Sequence, residues 1–328
     1  MTVASAAHGL VVALSGGIGG AKLALGLSRI LPAEELMIVA NTGDDFRHLG
    51  LSISPDLDTL TYTLAGLNNP ETGWGRRTET WTFMAALREL GGEGWFQLGD
   101  GDLAIHVERT RRLAAGEPLS QVTEDFCRRL GVRAKLVPMS DDPVRTRVRT
   151  QEGWLDFQDY FVRQRCQPVV LELTFEGRQS ARPQTDLMAA LRDPRLRAVI
   201  ICPSNPFISI DPILAVPGLR QALGNSPAPV VAVAPIIGGR AVKGPTAKIM
   251  SELGLEVTAA AVARHYGKII DGYVVDDSDV DQVALPGLHV HAAAILMQTL
   301  ADREALAHQV MAFADRLRAL GKAVRASA

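Results

Sequence analysis

The chain is predicted to be an α/β protein with a mostly parallel sheet, and three observations carry that expectation. Short apolar runs alternate with helix-period stretches along most of the length. The runs are continuous rather than alternating apolar and polar, as in strands buried on both faces. The first run opens into a glycine-rich turn and then a helix, the usual seat of an anion at a helix start. With 328 residues, 47% of them apolar and only 5% aromatic, Ala, Val, Leu and Ile can fill one large core.

Leu10-Val11-Val12-Ala13-Leu14 reads as the first strand, Ser15-Gly16-Gly17-Ile18-Gly19-Gly20 as the turn, and Ala21-Lys22-Leu23 as the helix start. Residues 36–40 form a second buried strand. Helices are expected at 57–67 and 78–90, with a short apolar piece at 95–98 between the second and further helices at 103–115 and 121–130, the last with Ser120 as N-cap. Residues 145–150 and 154–161 alternate around Gln151-Glu152-Gly153 and predict a hairpin, followed by a strand at 169–175. The stretch 134–180 therefore reads as a smaller inserted α+β lobe. Regular alternation resumes with strands at 198–202, 230–234 and 269–275. Helices are expected at 246–253, 258–265 and 303–320, and another starting at Asp211-Pro212 with Asp211 as N-cap. The whole is a Rossmann-like arrangement, helices on both faces, taken as a single domain over residues 1–328. Its ligands belong beyond the carboxyl ends of the strands.

Charge and cysteines narrow the class. Basic and acidic residues nearly balance, 34 against 36, which argues against a nucleic-acid partner. Cys127, Cys166 and Cys202 are far apart and form no C-x-x-C pair, as expected of reduced thiols in a cytoplasmic protein. No run of 18 apolar residues spans a membrane, and no Lys or Arg precedes Lys22 to make a signal-peptide start.

The candidate site residues follow the strands. The glycine turn (Gly16, Gly17, Gly19, Gly20, after Ser15) is neither a Walker A loop nor a complete dinucleotide fingerprint, because Ala21, Lys22 and Leu23 stand where those patterns need other residues. It either cradles phosphate or serves packing alone. Asn41-Thr42-Gly43-Asp44-Asp45 and Ser54-Pro55-Asp56-Leu57-Asp58-Thr59 place four carboxylates within 15 residues. Together they suit a hard cation shared with phosphate oxygens, and singly they suit helix and turn caps. Asp100 and Asp102 with His106 suit a cap, or a metal or acid–base role. Ser204-Asn205 suits a base or ribose edge, or an Asx-turn. Lys243-Gly244 before a helix suits a second anion site or a plain turn. Trp74, Trp81 and Trp154 suit core or lobe packing, or an aromatic wall. His265, His289 and His291 have no metal-ligand spacing.

In order along the chain, these motifs resemble the 2-phospho-L-lactate transferase family, called CofD or FbiA. The glycine turn through Lys22, Asn41 to Asp45 and Pro55 to Thr59 carry the likeness. So do Gly73-Trp74-Gly75, Leu98-Gly99-Asp100, Pro118 to Gln121, Pro203 to Pro206, Pro235-Ile236-Ile237 and Lys243-Gly244. The resemblance implies transfer of a phosphorylated three-carbon acid (lactate, enolpyruvate or glycerate) from a GDP-linked donor to the ribityl hydroxyl of the deazaflavin FO. GMP leaves, on the route to coenzyme F-420. It implies Mg²⁺ on Asp44 and Asp58, and Asp56 or Asp58 orienting or deprotonating the hydroxyl. Ser15, the glycines, Lys22, Asn41, Thr59, Asp100, Lys243 and Gly244 are expected at the substrates, with Ser204 and Asn205 at the nucleoside end, in a homodimer. Where the family usually reads Gly-Asp-Arg-Asp, this chain has Gly99-Asp100-Gly101-Asp102, so Arg76, Arg77 or Arg109 is expected to stand in. The alternative is a non-catalytic nucleotide-sugar-binding regulator of the gluconeogenesis-factor type. The run Phe46 to Gly50 after the paired aspartates departs from that type.

Overall fold

The structure, a computed structural model, describes residues 8–242 and 244–321. Along the chain run β1 (Leu10–Ser15), α1 (Gly17–Ile30), β2 (Leu36–Ala40), β3 (Phe46–His48), β4 (Leu51–Ile53), α2 (Pro55–Leu64), α3 (Thr82–Glu89), α4 (Asp100–Ala114), α5 (Leu119–Arg129) and β5 (Lys135–Pro138). Next come β6 (Arg145–Thr150), β7 (Gly153–Asp156), β8 (Glu172–Glu176), α6 (Thr185–Ala190), β9 (Leu196–Ile201), α7 (Asp211–Ala215), α8 (Leu219–Gly224) and β10 (Val230–Val233). The rest is β11 (Ile236–Ile237), β12 (Arg240–Ala241), α9 (Thr246–Glu252), α10 (Ala259–Tyr266), β13 (Gly272–Val275), β14 (His289–Ala292) and α11 (Leu300–Leu320).

Seven strands form the main sheet in the order β14-β13-β10-β9-β1-β2-β5, every neighbouring pair parallel. The continuous apolar runs are the reason: Val11, Val12, Ala13, Ile38, Val39, Val199 and Ile200 are wholly buried between helical layers. The chain winds outward from β1 through β2 to β5, then returns to β9 on the other side of β1 and winds away to β14. The order reverses between β1 and β9, so a crevice opens beyond their carboxyl ends. Helix α1 packs against α2 and α11. Gly26 permits the second contact, since a Cβ there would collide with the Arg303 carbonyl.

Several boundaries depart from expectation. Residues 135–138, expected inside the lobe, are the edge strand β5, because Leu136 and Val137 are buried against β2. The smaller antiparallel sheet is β7-β6-β8, from Arg145 to Glu176. The second hairpin strand stops at Asp156, and a π-helical turn follows at Asp159–Arg163. Phe157 and Phe161, four residues apart, stack at 5.3 Å, a helical spacing where strand alternation had been expected. Residues 95–98 form no strand. Ser120 does not cap α5: Pro118 precedes that helix, while the Ser120 N–H and hydroxyl donate to Asp141 at 2.6 and 2.8 Å. Asp211 is the first helical residue of α7 rather than its cap, and its carboxylate pairs with His265 Nε2 at 2.8 Å.

Candidate functional site

A cleft of about 640 Å³ lies at the reversal point of the sheet. One wall comes from the β1–α1 turn, with Gly16, Gly17, Gly19 and Lys22. Asp44, Asp56 and Thr59 come from the β2 side, and Ser204, Asn205 and Ser209 from the end of β9. Thr246 and Gly244 border it at the start of α9. The opposite wall is aromatic: Trp74, Trp95, Phe96, Phe157 and Phe161.

The glycine turn is shaped by what it touches. The Gly17 N–H, first in α1, donates to Asp56 Oδ1 at 2.6 Å, so a carboxylate already occupies this seat at the helix N-terminus. The Gly16 N–H donates to Ser204 Oγ at 3.1 Å, joining the ends of β1 and β9. A Cβ on Gly16 would sit 2.5 Å from Asp56 Oδ2. One on Gly19 would collide with the Pro203 carbonyl, and one on Gly20 with the hydroxyls of Ser15 and Ser204. Gly20 thus serves close packing, and Ser15 lies buried beneath it. Lys22 Nζ donates to the Met297 carbonyl at 2.6 Å at the cleft edge.

Asn41 organises the acids without lining the cleft. Its amide nitrogen donates to Asp56 Oδ2 at 2.9 Å and to Asp44 Oδ1 at 3.4 Å, while its oxygen accepts from the Gly43 N–H at 2.8 Å. Burial pushes Asp56 up to about 6, held back by its bonds from Asn41 and Gly17. Burial, then the Asp56 and Asp45 charges, push Asp44 well above the usual carboxylate range. Burial pushes Asp45 to about 7 against the pull of Arg145 and of the Ser54 hydroxyl, which donates to it at 2.9 Å. Asp45 Oδ1 is buried without a hydrogen-bond partner. Three buried carboxylates held above their ordinary range are a site short of positive charge.

Other expected residues are employed elsewhere. Asp58 does not line the cleft. Both its oxygens pair with the Arg109 guanidinium, through Nη1 at 3.1 Å and through Nη2. His106 lies between Asp58 and Asp102, at 3.7 and 3.2 Å, and the Tyr62 hydroxyl donates to Asp102. Asp58, Asp102 and His106 offer ligand atoms within 4.8 Å of one another and are a candidate metal-binding cluster. The Asp100 carboxylate accepts from the Thr80 hydroxyl and from the Thr82 and Phe83 N–H groups, fastening the start of α3 away from the cleft. Of the three arginines expected to stand in at the Gly101 turn, Arg76 reaches it, donating to the Gly101 carbonyl at 3.1 Å. Asn205 Oδ1 caps the Phe207 and Ile208 N–H groups at 2.9 and 3.3 Å, an Asx-type turn, while its Nδ2 is buried without a partner. Lys243 lies outside the described residues. Trp81 and Trp154 do not line the cleft, whereas Trp74 does.

Sequence reasoning passed over the Asp58–Arg109 pair and the Phe157–Phe161 wall. For the wall, the i, i+4 spacing of the two rings was the available signal. For the pair, whose members are 51 residues apart, no local pattern existed.

A doubly wound α/β sheet with an acid-lined crevice at its reversal point has the architecture of a protein that binds a small ligand beyond the carboxyl ends of its strands. The chain belongs to the 2-phospho-L-lactate transferase CofD family, whose family model matches residues 11–315. It is therefore a transferase of a family that moves a phosphorylated acid. It is 41% identical over 318 residues to a phosphoenolpyruvate transferase of Streptomyces griseus, covering 94% of this chain and 99% of that one. A phosphoenolpyruvate transferase of Kitasatospora aureofaciens is 42% identical over 318 residues, covering 94% and 98%. Among solved structures, a upf0052-family protein of Bacillus halodurans superposes with a TM-score of 0.60 at 15% identity, covering 92% of this chain and 98% of that one, a likeness of fold alone. No helix among the described residues is long and apolar enough to cross a membrane.

Proposed function

We propose that the chain transfers a phosphorylated three-carbon acid from a GDP-linked donor to the ribityl hydroxyl of the deazaflavin FO, releasing GMP. The name shared by the curated relatives puts phosphoenolpyruvate first among candidate acids. The observation that carries the reading is Asp56, held between the Gly17 N–H and the Asn41 amide in a cleft whose far wall is aromatic. The diphosphate faces the glycine turn, Ser204 and Lys22. The flat deazaflavin lies on Trp74, Trp95, Phe157 and Phe161. Asp56 stands between the two, where the hydroxyl meets phosphorus.

In the transfer the ribityl oxygen bonds to the phosphorus that carries the acid. The bond from that phosphorus to the bridging oxygen breaks, and GMP leaves with the electron pair. The hydroxyl proton passes to Asp56, whose value of about 6 suits a base working near neutrality. Positioning and charge neutralisation supply the rest, as in other phosphoryl transfers. The cleft acids fit Mg²⁺: Asp44, which lines the cleft and is held above its ordinary range by burial and by the Asp56 and Asp45 charges, would hold it, with phosphate oxygens completing its shell. Bound there, Mg²⁺ neutralises charge on the transferred group and on GMP. Asp58 stays with Arg109, which already occupies both its oxygens; with a His nitrogen as third ligand, that cluster suits a hard cation less well.

The test incubates the protein with FO, Mg²⁺ and each GDP-linked acid, followed by mass spectrometry. GMP and a deazaflavin phosphodiester are expected, fastest with the enolpyruvate donor. Binding of a UDP-sugar with no product from any donor would replace this reading with the regulator.

A further inference from the structure

Two rings of the aromatic wall, Phe157 and Phe161, are carried by the chain segment after β7, while the facing rim at Pro245 and Thr246 opens α9. Two side chains of α9 tie these parts together from behind. Lys248 Nζ donates to the Pro168 carbonyl at 2.7 Å and pairs with Glu252 Oε1 at 2.5 Å. It also stands 5.7 Å from the centre of the Tyr160 ring, next to Phe161 in the wall. Glu252 Oε2 accepts the Val170 N–H at 2.9 Å, just before β8. The ion pair thus grips the smaller lobe at two backbone points and one ring. Neither side chain lines the cleft.

On its other side the lobe is fixed by Gln158, whose Nε2 donates to the Asp44 carbonyl at 3.1 Å. That bond anchors the wall to the acid side of the cleft. The Lys248–Glu252 pair is the corresponding anchor to the α9 rim. We infer that Lys248 and Glu252 are positioning residues that set the cleft's width for the ring-bearing substrate. The role rests on the function proposed above: the pair takes part in recognising the flat acceptor and has none in the phosphoryl step.

Both bonds that cross from α9 to the lobe backbone are charge-assisted, and so stronger than neutral ones. Without the pair, the lobe keeps its ties to the acid side, through Gln158 and the Thr146 N–H on the Gly43 carbonyl, but loses its tie to α9, and the rings lose their fixed separation from Thr246. The titratable groups facing Lys248 are Glu252 on its own helix and the uncharged Tyr160 and Cys166 from the lobe.

The experiment compares the wild type with Lys248→Met, Glu252→Gln, the double variant and Lys248→Arg, using FO as acceptor. Lys248→Met and Glu252→Gln are each expected to raise KM for FO roughly tenfold, the weight of one charge-assisted hydrogen bond. The donor KM and kcat stay within about twofold. The double variant should lose more than either single variant and less than their sum, because the two side chains pair with each other but hold separate backbone points. Lys248→Arg restores most of the loss. Urea midpoints measured alongside keep folding separate. If all four variants match the wild type in FO KM, or lose kcat and donor KM in parallel, the pair is not a positioning device. A wild type that neither binds nor converts FO overturns the functional reading itself, which is a separate outcome.

Discussion

Replacing Asp56 with asparagine separates the charge of this residue from its shape. Asp56 is buried, and that burial raises it from its usual 3.8 to about 6. The difference corresponds to about 3 kcal/mol of folding free energy. The sign follows from linkage. A carboxyl raised in the folded state contributes its full stability below 3.8 and loses it as pH climbs to about 6. The asparagine of Asp56→Asn would still accept the Gly17 N–H, but its own N–H₂ would face the Asn41 amide nitrogen, which now donates to Asp56 Oδ2 at 2.9 Å. Two facing donors cost about 1–3 kcal/mol at every pH. Urea unfolding in EDTA between pH 4.5 and 7.5 would measure both terms. Asp56→Asn should be the less stable protein at pH 4.5. The gap should then close, or reverse, by about 2 kcal/mol as pH rises to 7.5. Turnover at pH 7.5 should fall by roughly 10²–10⁴, the usual weight of a general base. Stability curves that run parallel across this range would refute the assigned protonation of Asp56.

Other perturbations draw on the same geometry. Arg109→Met strands Asp58 and should cost about 3–5 kcal/mol in urea unfolding, with the Asp58→Asn/Arg109→Met pair recovering much of it. Gly19→Ala drives a Cβ into the Pro203 carbonyl, so a stability loss of about 1–3 kcal/mol is expected by thermal melting, before any effect on ligand. Because Asp45 and Asp56 keep their protons to about 7 and about 6, added Mg²⁺ should raise the melting temperature more at pH 8 than at pH 5.5. An equal gain at both values would place the cation away from these acids.

The parts of the molecule written in continuous local patterns were legible. Uninterrupted apolar runs such as Leu10 to Leu14 pointed to parallel strands. The turns after β1, β2 and β9 had to meet once those strands were parallel and adjacent, and Gly16 does meet Ser204. What each polar group would touch was less legible, because that depends on pairs far apart in sequence. Asp58 and Arg109 are 51 residues apart, and only the packing of α4 behind α2 makes them partners. Asp100 suits a phosphate contact by motif, yet α3 lies close enough to take its carboxylate as a cap. Local alternation through Trp154 and Leu155 concealed the switch to helical spacing at Phe157, and with it the aromatic wall. The edge strand β5 was absorbed into the lobe because its four residues carry too little pattern to separate them from the hairpin beginning at Arg145.

The central claim is that one cleft holds a diphosphate against the glycine turn and a flat ring against the facing aromatics. A crystal structure with GDP and FO bound tests it most directly. Phosphate oxygens are expected beside Gly19, Lys22 and Ser204, with the deazaflavin between Trp95 and Phe161 and its ribityl hydroxyl turned toward Asp56. Nucleotide bound instead in the groove of the smaller lobe beside Trp154 and Arg178, with this cleft empty, would contradict it.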